Sequence, residues 1–234
     1  MLWKKWVSRL CLMALGAFVL SAGSAQAAEG VSGQAFVRVI HASPDAPAVK
    51  VFIDGKNLLP NVVYKQASNY LPLAAGHHTI EIYPTDALAG ATPLIKQNLT
   101  LQAGKKVSAA AIGELAKIRL QVVDDELAST ANMAKVRFVH ASPDTNAVDV
   151  ALAGSTVLAS NLGFSDVSSY IEVGAPAQLN VEMRQAGTDK ALVAFPTVSV
   201  DPATIYSVYV VGYSGGKKPG VEALIFTDKA VVTP

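Results

Sequence analysis

The residues with the most chemistry in this chain stand in one short run, His41-Ala-Ser-Pro-Asp45, which returns as His140-Ala-Ser-Pro-Asp144. An imidazole and a carboxylate four residues apart across a turn can share a cation, or act as a base and its orienting partner. The same residues also have a structural use. Ser43-Pro44-Asp45 and Ser142-Pro143-Asp144 carry turn chemistry, with proline presetting φ and the Asp side chain capping nearby backbone N–H groups. On a strand, His41 shares a face with Val37 and Val39, where it can bond a loop carbonyl at the edge of a core. The motif therefore reads as structural first and as a ligand or metal site second. Catalysis comes last, because two copies of one catalytic site in a small chain would be unusual.

Arg38 and Arg137 lie out of phase with the histidines and point to the opposite face, where pairing with a same-face carboxylate is the ordinary expectation. Gly76-His77-His78-Thr79 adds two imidazoles at a turn. Adjacent strand residues face opposite ways, so only one of these could join His41, and a metal site built from His41, Asp45 and His78 would be confined to the first copy. Gly212-Tyr-Ser214-Gly-Gly216 fits the nucleophile-elbow spacing, but Lys217-Lys-Pro-Gly220 cannot start the helix that an elbow requires. Asp124, Asp125 and Glu126 lack the glycine-centred spacing of a calcium loop and read as solvated linker. No phosphate-binding glycine loop or cofactor signature occurs, so no cofactor is expected. Tyr64, Tyr70, Tyr83 and Tyr170 could line a carbohydrate-binding face, although at 7% aromatic content most rings are expected in the core.

The elements that must position these residues are strands. From Phe36 onward, short runs rich in Val, Ile, Tyr and Phe alternate with Pro, Gly, Asn and Asp clusters, and no stretch sustains a helical period. Strands are predicted near 35–41, 48–54, 62–71, 78–83, 94–101, 106–112 and 117–123. Val49, Val51 and Ile53 recur as Val148, Val150 and Leu152, whereas Lys50, Phe52 and Asp54 are replaced by Asp149, Ala151 and Ala153. The face kept apolar in both copies is predicted to be the core face. Ile80, Leu99 and Gly113 likewise match Val181, Val198 and Gly212. The expected fold class is all-β, with two tandem immunoglobulin-like β-sandwich domains. Their boundaries are predicted at 33–124 and 135–231, joined by a linker over 125–134. That linker is short, so the domains are expected to touch and partly cover each other's edge strands.

The motif after a Val-Arg-Val strand, followed by a second strand and Asp54-Gly55, resembles the exported bacterial family catalogued as domain of unknown function 4397. The resemblance covers both copies. It implies a secreted or surface-associated β-sandwich module, often in tandem, and it implies no agreed catalytic residues. The second copy departs from the pattern at Thr145-Asn146, where the first has Ala46-Pro47, and at Ala153-Gly154, where the first has Asp54-Gly55.

Lys4, Lys5 and Arg9, an apolar run from Leu10 to Leu20 and Ala25-Gln-Ala27 have the order of an export signal, expected to be cleaved near residue 28. The only cysteine, Cys11, would leave with it, so the mature chain is expected to have neither disulfides nor thiolate metal sites. The whole chain has 19 Lys and Arg against 18 Asp and Glu, and loss of the three basic residues of the signal leaves a slightly acidic protein. That balance argues against nucleic-acid binding, and the apolar run is too short to leave a membrane span in the mature chain. The expected function is an exported, non-enzymatic binding or adhesion module of the cell envelope, periplasmic or extracellular, whose partner is an envelope protein or a glycan. The alternative is a metal-dependent binding protein or hydrolase built on the motif of the first domain.

Overall fold

The computed structural model describes residues 33–232, so the expected signal peptide over 1–28 lies outside them. The first repeat consists of β1 (Gln34–His41), β2 (Val49–Ile53), β3 (Lys56–Val62), β4 (Leu71–Ala74), β5 (Gly76–Pro84), β6 (Ile95–Leu101), β7 (Lys106–Ile112) and β8 (Arg119–Asp125). They form two four-stranded sheets, ordered β4-β1-β7-β8 and β3-β2-β5-β6. Val37 and Val39 from one sheet and Val49, Val51, Ile53, Ile80 and Ile82 from the other fill the core between them. The face predicted from alternation is the face that is buried. All pairings within the repeat are antiparallel except β1 with β7, which run parallel.

The strand expected over 62–71 does not form. The chain enters β3 earlier, leaves the sheet after Val62, and takes Lys65 to φ 73°, a left-handed conformation that no strand accommodates. Ser165 repeats this at φ 74° in the second copy.

After β9 (Ala128–Ser129) the second repeat follows the same plan: β10 (Met133–His140), β11 (Val148–Leu152), β12 (Val157–Leu162), β13 (Ile171–Gly174), β14 (Ala177–Leu179), β15 (Val181–Gln185), β16 (Ala191–Ala194), β17 (Val198–Val200), β18 (Thr204–Val211) and β19 (Glu222–Lys229). Its sheets are β13-β10-β18-β19 and β12-β11-β15-β16, with β14 and β17 pairing separately. β14 with β15 and β16 with β17 are therefore interrupted versions of β5 and β6. Pro196, which has no N–H to give a ladder, sits in the second interruption. A final strand, β20 (Val231–Val232), pairs with β9. The architecture is all-β, two tandem sandwiches.

The sandwiches meet through faces, not through the edge strands expected to cover one another. Ile40, Ala42, Ala110 and Ile112 of the first repeat and Val139, Ala141, Tyr209 and Val211 of the second form a third buried cluster. The central strands of sheets β4-β1-β7-β8 and β13-β10-β18-β19, β1 and β7 in the first and β10 and β18 in the second, are thus covered on both sides. This accounts for the unbroken burial of Val107–Ile112 and Thr204–Val211, where a half-exposed strand would alternate.

Candidate functional site

The His-Ala-Ser-Pro-Asp motif occupies the loop that leaves β1, and its copy leaves β10. His41, facing the core as its phase with Val37 and Val39 requires, is fully buried, and its Nε2 lies 2.9 Å from the Pro47 carbonyl oxygen. His140 does the same to the Asn146 carbonyl at 3.3 Å. A carbonyl can only accept, so both rings carry the proton on Nε2. The His140 Nδ1 then accepts from the Ser142 N–H at 3.3 Å, whereas the His41 Nδ1 is buried without a partner. Ser43 donates to the Gly113 carbonyl at 2.5 Å and Ser142 to the Gly212 carbonyl at 2.7 Å. Asp45 accepts from the Leu115 N–H at 2.7 Å, and Asp144 from the Ser214 and Gly215 N–H groups at 2.8 and 3.1 Å.

The motif therefore ties its own turn to the loop that leaves the parallel neighbour strand, in the same way in both repeats. That loop turns at Gly113 (φ 93°) and Gly212 (φ 87°), and a Cβ on Gly212 would collide with the Gly220 carbonyl. The serine of the elbow-like sequence, Ser214, is exposed in this loop and bonds Asp144.

The metal candidates do not converge. Asp45 faces the Leu115 N–H and His41 faces Pro47, while His78 Nδ1 lies 2.6 Å from Asp54 Oδ2 and its Nε2 lies 2.8 Å from the Ala74 carbonyl. His77 points the other way, to Thr100 Oγ1 at 3.0 Å. Among the described residues no group of three or more His, Cys, Asp or Glu could hold a metal ion.

Burial lowers the pKa of His41 and His140, against the opposing pull of the Pro47 and Asn146 carbonyls. Burial also works against the charged form of His78, but the Asp54 carboxylate and the Ala74 carbonyl outweigh it and raise that pKa. The signs for stability follow. Below an unfolded pKa of about 6.5 the unfolded chain binds protons that folded His41 and His140 refuse. Their contribution is complete above that value and is lost as pH falls towards the folded pKa. The His78 contribution has the opposite sense: it is complete below about 6.5 and is lost as pH rises through its raised pKa. Urea unfolding between pH 7.5 and pH 5 is expected to show a decline for the wild type, reduced in a His41→Gln/His140→Gln variant and steepened in His78→Ala. A wild-type decline left unaltered in the double variant would contradict the assignment.

The arginines pair with carboxylates as expected, but across the repeats. Arg38 Nη1 lies 3.1 Å from Asp228 of β19, and Arg137 Nη2 bonds Asp125 of β8. Each guanidinium also donates to the serine opposite it on the parallel strand: Arg38 to Ser108 at 3.0 Å, Arg137 to Ser207 at 2.9 Å. Each stacks on a tyrosine, Tyr70 at 4.7 Å or Tyr170 at 4.9 Å. Asp125 further accepts from Ser108 and from the Tyr70 hydroxyl, both at 2.7 Å. The acidic stretch read as solvated linker therefore contains a buried ion. Asp125 ends β8 with its side chain 1% exposed, because the second repeat closes over it and supplies its cation. Asp124 and Glu126 are exposed, as expected of the linker, and Glu126 pairs with Lys135.

Three of the four tyrosines considered for a carbohydrate face, Tyr64, Tyr70 and Tyr170, border this contact between repeats. The fourth, Tyr83, lies on the outer face of the first sandwich against Phe52, with ring centroids 5.5 Å apart and near-perpendicular planes.

The family comparison agrees with tandem repetition. The family described as Domain of unknown function (DUF4397) is matched by residues 35–151 and again by residues 134–234. No curated protein matches. Among solved structures the chain is similar to a candidate cell adhesion protein from Bacteroides eggerthii DSM 20697, with 10% identity over 88% of this chain and 98% of that one and a TM-score of 0.29. It is similar also to a streptococcal virulence factor that binds α-glucan (10% identity, 74% and 91% covered, TM-score 0.25). A third is a family CBM26 module from Eubacterium rectale Amy13K, in complex with maltoheptaose (9% identity, 85% and 97% covered, TM-score 0.25). At these scores the backbones superpose too loosely to carry over a site or a ligand. Among the described residues, no helix is long and apolar enough to cross a membrane.

Proposed function

The chain belongs to the family described as Domain of unknown function (DUF4397), and we propose that it works without catalysis, as an exported double sandwich that binds a glycan or protein of the cell envelope. The observation that carries this reading is the use made of the repeated motif. Ser43, Asp45, Ser142 and Asp144 all bond the loop leaving the neighbouring strand, and the two histidines span their own turns. These bonds give the motif the same structural use in both repeats, holding its turn to the neighbouring loop. The repeats also differ on the outer sheet faces and the loops beside them, where Lys50, Phe52 and Tyr83 stand against Asp149, Ala151 and Arg184. A rigid frame with variable loops is the usual arrangement of a recognition module.

Two measurements on the chain without residues 1–28 test this. In thermal unfolding with calcium, zinc, copper or manganese, with and without chelator, no selective shift is expected. A metal bound at 100 times its dissociation constant would add about 2.7 kcal/mol, and a rise of that kind abolished by His41→Ala would overturn the reading. In sedimentation with isolated bacterial envelopes, the chain is expected to pellet with them. Turnover of a hydrolase substrate without envelope association would also overturn it.

A further inference from the structure

The two repeats share a frame and differ on their outer sheets. In the second, that face is closed by its own side chains. Arg184, nearly buried, bonds Glu182 at 2.6 Å and the Leu152 carbonyl at 3.2 Å, while Asp149 accepts from the Asn161 and Gly187 N–H groups at 2.7 and 2.9 Å. Ala151 lies fully buried between them. In the first repeat the equivalent places hold Tyr83, Lys50 and Phe52, as the pairings Lys50–Tyr83 and Asp149–Arg184 establish. Here the face is not closed. The longer loop 85–94 stands off it, tethered by a bond of 2.6 Å from Lys50 Nζ to the Ala87 carbonyl, and leaves an open cleft of about 490 Å3. Phe52, Tyr83, Lys50 and Glu81 line it, with Leu88, 84% exposed, and Gly90 on the loop side.

We propose that this cleft binds a saccharide, with the Phe52 and Tyr83 rings as the platform for a sugar ring and Glu81 and Lys50 as its polar contacts; the proposal rests on the binding reading above. The alternatives fit the cleft less well. Phe52 and Lys50 come from β2, Tyr83 and Glu81 from β5, and both are central strands whose ladders are taken by neighbours. No free backbone edge is offered to an incoming peptide strand. An acyl chain calls for an enclosed apolar cavity, whereas this cleft is open and has charged groups in its walls. A phosphate is served poorly, because the one cation in the wall, Lys50, which keeps two N–H donors beyond its bond to Ala87, stands beside the Glu81 carboxylate, and Lys96 is paired with Glu81 at 2.8 Å. A sugar ring has both of the required characters. Its C–H face suits an aromatic platform, and its hydroxyls suit a carboxylate, an ammonium and loop backbone groups. Rings with an apolar body and a polar tip, such as Tyr83, serve such mixed surfaces.

The test uses the chain without residues 1–28, an array of bacterial and host oligosaccharides, and maltoheptaose and chitohexaose as soluble probes in titration calorimetry. Binding to at least one saccharide is expected, weakened roughly tenfold or more in Phe52→Ala/Tyr83→Ala, a loss ordinary for removal of two central aromatic contacts. Both side chains lie outside the buried core cluster of their sandwich, so the double variant is expected to unfold cooperatively, which thermal unfolding checks. Binding to no saccharide, or binding unchanged in the double variant, overturns the proposal. If no saccharide binds but the wild type still pellets with envelopes, the cleft proposal falls and the broader reading survives. If no saccharide binds and the wild type fails to pellet as well, both fall.

Discussion

Arg137→Ala is expected to cost about 3–5 kcal/mol of stability, the ordinary loss when one member of a buried ion pair is removed and the other stays charged. The Arg137 and Asp125 side chains are 2% and 1% exposed, so water cannot replace the lost partner, and the nearest remaining cation is Arg38 Nη2 at 3.9 Å. The cavity left beside Tyr170 adds to the loss. Arg38→Ala is expected to cost less, because the carboxylate it abandons, Asp228, is 15% exposed and can be rehydrated. Guanidinium chloride unfolding measures both. A double variant, Arg137→Met/Asp125→Leu, is expected to recover much of the Arg137→Ala loss, since an apolar pair of similar volume avoids the desolvation of two ions. Equal small losses in all three variants would mean that the pair is hydrated in solution.

These arginines show where the sequence was legible and where it was not. That Arg38 and Arg137 face away from the core followed from the period of two, and that each would meet a carboxylate followed from the cost of an isolated charge. Which carboxylate depended on packing between repeats, and no local pattern encodes that. A signal was nevertheless present. Val107-Ser-Ala-Ala-Ala-Ile112 and Ile205-Tyr-Ser-Val-Tyr-Val-Val211 do not alternate, and an all-apolar strand with only a serine opposite each arginine belongs to a sheet covered on both faces. Read in that way, the runs would have pointed to face-to-face stacking in place of covered edges. The motif was readable because Ser-Pro-Asp and glycine have definite backbone uses. Its long-range clamp, from Asp45 to Leu115, was not, since nothing in a turn names the loop it will bind. The outer faces were legible as a difference, Phe52 against Ala151, before their geometry was known. The strand expected over 62–71 failed because Tyr64 and Tyr70 have high strand propensity, whereas tertiary packing directs both rings to the contact between repeats.

The arrangement of that contact leads to an expectation for the repeats produced as separate chains. Its ion pairs are exchanged, Arg38 reaching the second repeat and Arg137 the first, as across a two-fold axis that makes a patch complementary to its own copy. Charge alone would allow the first repeat to pair with itself, Arg38 of each copy on Asp125 of the other. Packing is not equally permissive. Ala110 and Tyr209 hold equivalent places, paired with Ile40 and Val139, and both are fully buried in the shared cluster. At this place the shared cluster thus takes a small residue from the first repeat and a large one from the second, the alternation by which facing layers interlock. A first-repeat homodimer would bring two alanines together and leave a void; a second-repeat homodimer would crowd two tyrosines. Residues 29–127 and 128–234, purified apart and mixed, are therefore expected to assemble as a one-to-one heterodimer in preference to either homodimer, as read by sedimentation equilibrium. Ala110→Tyr in the first chain should weaken that heterodimer by overpacking. A first repeat that remains a stable monomer in the presence of the second would show that the shared cluster contributes little, and that the ion pairs form only because one chain carries both halves.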